Sequence, residues 1–293
     1  MKIKFFGVRG STPEPGPTTT RYGGNTSCVY VTFDNGASLI LDAGTAIRSL
    51  GYQLTQNDQP IYLVLSHNHW DHIQGYPFFV PIYQPGREIN VFPSISSGRR
   101  MLSSLFDQMD GNSFPLHADD LPSHNNMMFR DVESVMAEKQ VMLVQKPLNH
   151  PGGGSSYKMV EDGVSCAYVT DNELEPPNKV HTSYDEWVEY LSIVDVLIHD
   201  AQYTQDDMSH KHGWGHSLVS QVRQLAVDAE VGALVMFQHD PDRTDGEIEE
   251  IRLGNESFFS VKRAPARSFC AWEGLELELK KPVAGGATIL RQL

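Results

Sequence analysis

The sequence predicts an α/β fold in which layers of β-sheet are covered by helices. Three observations carry that reading. Short β-branched and aromatic runs recur through both halves of the chain, with helix-length amphipathic segments among the later ones. No repeat, low-complexity tract or linker divides the 293 residues, so one domain spanning 1–293 is expected, with a helical and loop insert around 98–140. The histidine-bearing segments begin where apolar strands end, which is where open sheets place ligands.

The elements follow in order. "KIKFFGV", "SCVYVTF", "ASLILDAG" and "IYLVLS" are strand-like runs within the first 66 residues, and "DNG" (34–36) between the second and third is a hairpin signal. Between the first two lies "RGSTPEPGPTTTRYGGN" (9–25), a Pro-, Gly- and Thr-rich loop long enough to line a site. Within 98–140, "GRRMLSSLFDQM" is helix-compatible and "PLHADDLPSHNNMMF" reads as a polar connector. Strands are expected at 140–147, 155–162 and 164–171, with "DGV" turning the last two. A helix at 183–192, a buried strand at 194–201, an amphipathic helix at 217–230 and a buried strand at 232–240 follow. The segment 254–293 reads as closing strands or a homodimer contact.

Composition limits function. The 23 basic and 37 acidic residues give a formal charge of −14, which disfavours a large nucleic-acid partner. Bound divalent metals reverse such a field locally, so a small anionic substrate stays in play. Cys28, Cys166 and Cys270 show no C-x-x-C spacing, which points to a reducing compartment. The opening has too short an apolar run for a signal peptide and nothing reaches membrane-spanning length, so no membrane partner and a cytoplasmic location are expected.

The chemistry concentrates in "SHNHWDH" (66–72). His67 and His69 are two apart and project to one side of an extended segment, able to hold one metal through imidazole nitrogen. Asp71 and His72 are adjacent, and a turn into helix aims them at a second position. Trp70, between His69 and Asp71, is a packing or shielding group. Completing two sites needs more nitrogen and oxygen ligands, and three more apolar strands end in candidates: His150 in "KPLNHPGG", Asp171 in "AYVTDNE" and His239 in "VMFQHDP".

The order H-x-H-x-D-H, then His, Asp and His, resembles the metallo-β-lactamase superfamily of dinuclear metallohydrolases. The resemblance implies a four-layer αββα sandwich of two mixed sheets flanked by helices. It implies two divalent metal ions, zinc first and manganese or iron as substitutes. His67, His69 and His150 would hold one metal; Asp71, His72 and His239 would hold the other, with Asp171 bridging. Water activated between the metals would attack the substrate. Asp71 would help orient the nucleophile, and Asp42 in "LILDAG" would support a ligand from behind.

Two further motifs, "IHDAQY" (198–203) and "GWGHS" (213–217), are similar to those of the tRNase Z-like branch. By that likeness Asp200 orients His216, which protonates the leaving group. His199 either packs or backs a ligand. In that branch the arm that grips tRNA is inserted between the third histidine and the bridging aspartate; here "PGGGSSYKMVEDGVSCAYVT" leaves room for a hairpin only. The loop 7–29 resembles the opening of the cyclic phosphodiesterases, with backbone N–H groups to cradle phosphate, Ser11 and Arg21 as candidate substrate contacts, and Arg9 as a further source of charge. The expected activity is hydrolysis of a small phosphodiester, a cyclic nucleotide or cyclic sugar phosphate. The alternatives are a lactonase or thioesterase, although "NHPGGGS" lacks the second histidine such enzymes often show, and a ribonuclease.

Overall fold

The computed structural model describes residues 1–95, 103–128, 131–281 and 288–293. Period-two alternation builds its layers. In β2 (Cys28–Thr32), Val29 and Val31 face a core between two sheets while Cys28 faces outward. In β10 (Val196–Asp200), Val196 and Ile198 face the same inner core and Leu197 faces outward. Both faces of each sheet are therefore apolar and each needs a cover.

One sheet has eight strands: β1 (Lys2–Gly7), β2, β3 (Ser38–Leu41), β4 (Ile61–Val64), β5 (Glu88–Phe92), β6 (His124–Met127), β13 (Glu276–Lys280) and β14 (Ile289–Gln292), in the order β14-β13-β1-β2-β3-β4-β5-β6. It is antiparallel from β14 to β3 and parallel from β3 to β6. The other has six: β7 (Met142–Pro147), β8 (Ser155–Glu161), β9 (Val164–Val169), β10, β11 (Ala233–Phe237) and β12 (Arg267–Cys270), in the order β12-β11-β10-β9-β8-β7. It is parallel from β12 to β9 and antiparallel beyond.

Helices cover the outer faces. The helix Ile47–Leu54 lays Ile47, Leu50 and Leu54 on Ile40, Leu63 and Ile89 of the first sheet. The helices Tyr184–Leu191, Val219–Asp228 and Asp245–Lys262 cover the second with Trp187, Leu225 and Phe259 among others. Two mixed sheets flanked by helices make the expected αββα sandwich.

Three elements depart from the sequence reading. The "polar connector" contains edge strand β6, which pairs in parallel with β5; an edge strand needs no apolar run, so its composition hides it. β5 itself, "EINVF", was not anticipated. The closing segment does supply β12, β13 and β14, but 254–262 completes the eighteen-residue helix Asp245–Lys262. Thr244 and Glu247 form its capping box, and it stops at Arg263, whose φ is 54°. In the 98–140 insert, residues 103–106 are helical, while 98–102 and 129–130 lie outside the described residues.

Candidate metal centre and active site

After β4, Leu65 still pairs with Phe92, and the chain then turns into the short helix Trp70–Ile73. That geometry puts His67 and His72 in the interior and leaves His69 at the surface. Trp70, expected to pack or shield, stands 72% exposed. His150 arrives from the turn between β7 and β8, and Asp171 from the end of β9.

Donor atoms of His67, His69 and His150 lie within 4.8 Å of one another, and so do those of His67, His72 and Asp171. Asp171 joins the two groups: its Oδ1 is 3.2 Å from His72 Nε2, and its Oδ2 is 3.6 Å from His67 Nε2 and 3.8 Å from His150 Nε2. Asp71 Oδ2 lies 3.2 Å from His72 Nε2. Six of the seven candidate ligands thus meet at one point.

The donor set fits divalent metal. Buried His67 Nε2 has no hydrogen-bond partner, an orphan that a cation would satisfy. His150 Nδ1 donates to the Gly215 carbonyl (2.9 Å), which leaves its Nε2 lone pair facing the cluster. Burial, with neighbouring imidazoles adding to it, holds His67 well below the usual imidazole range and His150 at about 4; burial also lowers His69. Neutral imidazole is the form that binds metal. Burial opposes charge on His72 too, but Asp71, Asp171 and Asp42 outweigh it and raise its pKa, as expected where a cation belongs. The same histidine charge keeps Asp171 ionised against its burial.

Asp42, fully buried, is the hub behind these ligands. It accepts from Ser66 N (2.7 Å), Ser66 Oγ (2.8 Å), Tyr168 OH (2.8 Å) and His72 Nδ1 (2.8 Å). Ser66 Oγ in turn lies 3.0 Å from His67 Nδ1. Both rings therefore have Nδ1 donating into this network, which leaves Nε2 as the nitrogen that faces the cluster. Asp42, Asp171, Gln238 and Ser11 all adopt positive φ (63°, 46°, 58° and 63°), local strain gathered around one site.

His239 is a correction. Its Nε2 bonds to the Ala271 carbonyl (2.8 Å), its ring packs on Tyr22, and the charges it senses are Arg9, Arg243 and Asp245. Backbone pairing with Val8 and Gly10 turns it away from the cluster. The preceding residue, Gln238, takes that place: its Nε2 lies 3.0 Å from Asp71 Oδ2 and 3.1 Å from His72 Nε2. Arg21 is the second correction. It pairs with Glu249 (3.0 Å) over the Tyr22 ring and lines a groove with Arg252 and Trp272, with no contact to the cluster. Arg9 is buried and ties the carbonyls of Gly23, Asp240 and Arg243 together, a structural clamp. Ser11 does reach the centre, through its backbone N–H on Asp71 Oδ2 (2.8 Å), while its Oγ accepts from Gln202.

Asp200, at the end of β10, accepts from His216 Nδ1 at 2.9 Å. A ligand-type atom of His216 lies within 4.8 Å of those of His150 and Asp171; with Nδ1 engaged, Nε2 is the one left for a substrate. Burial raises Asp200 to about 6, and Asp200 overcomes burial to raise His216 to about 9, each group favouring the other's charge across the 2.9 Å bond. Buried Glu173, which carries no sequence signal, fixes the loop bearing His216 by accepting from Gly213 N (2.9 Å) and Gly215 N (3.0 Å). Gly215 has a φ of 91° and lies so close to His150 that a Cβ there would collide with Nδ1. His199 packs inside the sheet, its Nδ1 on the Asp200 carbonyl (2.6 Å), and Nε2 has no partner, so it backs no ligand.

A cavity of about 420 Å³ opens beside His150, walled by Gly152, Glu173, Pro177, Lys179 and His181. Its size suits a small ligand.

A β-lactamase superfamily domain model matches residues 38–239. Ribonuclease Z of Halobacterium salinarum is 23% identical over 320 residues, covering 97% of this chain and 99% of that protein. The metallo-β-lactamase fold protein YhfI of Bacillus subtilis superposes with a TM-score of 0.63 at 14% identity, covering 94% and 98%. A diphosphatase from the PhnP family does so with a TM-score of 0.62 at 18% identity, covering 95% and 98%. The matched stretch opens at β3, just before Asp42, and closes at the strand end that carries Gln238. The chain therefore belongs to the metallo-β-lactamase superfamily, and its described residues share that fold.

Proposed function

We propose that the protein is a dinuclear metal-dependent phosphodiesterase acting on a small anionic diester, such as a cyclic nucleotide or cyclic sugar phosphate. The observation that carries this is the Asp200–His216 pair, set against the same cluster that gathers the metal ligands. His67, His69, His150, Asp71, His72 and Asp171 would hold divalent cations, which when bound would supply Lewis acidity for water and for a phosphoryl oxygen.

The chain's own groups do the rest. Asp200 holds the His216 ring with Nδ1 toward itself, so Nε2–H points to the departing alkoxide and delivers a proton. Glu173 keeps the loop in register for that transfer. Ser11 N–H and the Asp42 network hold Asp71 and His72 still. A departing thiolate would not need a proton donor so placed, which favours the diester over a thioester, and "NHPGGGS" lacks the second histidine that lactonases often show.

Size and charge narrow the substrate. Between His150 and Asp171 runs only the hairpin of β8 and β9, turned at Asp162 and Gly163, which gives no arm for a folded RNA. The −14 formal charge repels a long polyanion, whereas the cavity has room for a small one and carries Lys179 on its wall. Trp70 and Trp214, 72% and 59% exposed on the loops of His69 and His216, offer flat faces to a base or sugar.

The test is hydrolysis of bis(p-nitrophenyl) phosphate, an alkyl phosphodiester, a lactone and a precursor tRNA by zinc- or manganese-loaded protein. Metal-dependent diester cleavage is expected. His216→Ala should lower the rate on the alkyl diester by about 10²–10⁴-fold and spare the p-nitrophenyl diester, whose leaving group needs little protonation. Lactone cleavage without diester cleavage overturns the reading, and efficient tRNA cleavage replaces the small substrate with RNA.

A further inference from the structure

The two halves of the metal centre are unequal. His67, His69 and His150 give the first position three imidazole nitrogens, with Asp171 Oδ2 close to two of them. The second position has one imidazole, His72, and two carboxylates, Asp71 and Asp171. What stands beside them is Gln238, a neutral amide, fully buried.

Gln238 also sets a condition on binding there. As oriented, its Nε2 donates to Asp71 Oδ2 and faces His72 Nε2, so its hydrogens sit on the lone pairs a cation would use. Its Oε1 accepts from Ser27 Oγ at 2.5 Å. A half-turn of the amide exchanges the two ends: Oε1 then faces the cluster as a ligand, and Nε2 donates to Ser27 Oγ. A hydroxyl accepts as readily as it donates, so both orientations leave Gln238 satisfied. The resulting donor set is three oxygens, two from carboxylates and one from an amide, with one nitrogen, which suits hard cations, whereas the three-imidazole position suits zinc.

We propose that the first position is a tight zinc-type site and the second a weak, exchangeable site for a hard divalent cation such as Mn²⁺ or Mg²⁺, opened by the half-turn of Gln238. This rests on the metal-centre part of the functional reading and not on the substrate. The second position should hold zinc more weakly than the first by at least the roughly 10–100-fold that loss of a supporting partner costs such sites.

The experiment counts metal. Metal-stripped protein is given excess zinc, desalted and assayed by mass spectrometry. Wild type should keep one zinc per chain and Gln238→His two; histidine tolerates the positive φ at this position. The one-zinc wild-type protein is then titrated with Mn²⁺ and followed by electron paramagnetic resonance. One Mn²⁺ should bind, and at least about tenfold more tightly in Gln238→Glu, which supplies a charged oxygen in place of the amide. Thermal melting of each variant verifies folding, and Gln238→Glu carries the test if Gln238→His does not fold. Two zinc ions retained by wild type, or Mn²⁺ affinity unchanged in Gln238→Glu, overturns the proposal. One tight and one weak metal in a protein inert toward phosphodiesters leaves it standing and removes the phosphodiesterase reading instead. Failure to retain any zinc removes both.

Discussion

Replacing Asp42 by asparagine tests how the ligands are held. The change is isosteric, and asparagine accepts the left-handed backbone (φ 63°) that Asp42 adopts, so no strain is added. The carboxylate accepts four hydrogen bonds: Oδ1 takes Ser66 N, and Oδ2 takes Ser66 Oγ, Tyr168 OH and His72 Nδ1. An amide cannot serve all four. If its nitrogen replaces Oδ1, it faces the Ser66 N–H, donor against donor. If it replaces Oδ2, the two hydroxyls can rotate but His72 must shed its Nδ1 proton, and the alternative tautomer carries that proton on Nε2, 3.2 Å from Asp71 and Asp171. The ring then presents a hydrogen where a metal would bind.

The first outcome leaves a buried donor unpaired, which costs about 1–3 kcal/mol and lowers the melting temperature by roughly 2–4 °C for each of those. The second costs metal affinity, about 10–100-fold. Melting of metal-free protein reads one, and competition against a graded chelator reads the other. The expected result is a modest fall in melting temperature with a fall in metal affinity of that size. Affinity unchanged within about threefold would refute the claim that Asp42 sets the tautomer of His72.

Two more outcomes follow from the same geometry. Zinc at about a hundred times its dissociation constant should stabilise the protein by roughly 2.7 kcal/mol, and excess chelator should reverse the gain in melting temperature; no shift would mean that the orphan His67 Nε2 is not a ligand. Burial lowers His199 to about 4, against an ordinary 6.5, so the unfolded chain binds the extra proton first. Stability should therefore fall as pH drops from about 6.5 to about 4, by about 3 kcal/mol in total from this residue, and His199→Leu should flatten that part of the stability–pH curve. Identical curves for the two proteins would sink the assignment.

What was legible in the sequence was what local spacing determines. "HNHWDH" sets His67, His69, Asp71 and His72 within one turn, and no distant contact can rearrange them much. Asp200 and His216 lie sixteen residues apart and still meet, because a strand end and a helix start bracket the loop between them. Illegible were the groups whose role depends on approach from afar. Tyr168 meets Asp42 across 126 residues, and Arg21 is taken by Glu249 across 228. A cation in a Gly-rich loop looks identical whether it faces a phosphate or a helix. Glu173 looked like any acidic turn residue until its carboxylate reached two glycine N–H groups. The helix Asp245–Lys262 did carry a signal, the Thr244 and Glu247 capping box, but only Ile248, Asn255 and Phe259 are buried, too few for a clear apolar stripe.

The misplacement of the last ligand is different in kind, because the error is a single residue. Just past the end of β11, Gln238 and His239 face opposite ways, and a shift of one position exchanges which of them enters the site. Residue type argues for histidine. The backbone decides for glutamine: β11 ends at Phe237, Gln238 turns through positive φ toward Asp71, and His239 is carried into pairing with Val8 and Gly10. That pairing depends on the first loop of the chain, more than two hundred residues away, and no inspection of "FQHD" contains it. The consequence reaches chemistry, since the same one-residue choice decides whether the second metal position receives a second imidazole nitrogen or an amide. A site recognised by its list of residue types can therefore be right in place and wrong in its donor atoms, and metal preference follows the donor atoms.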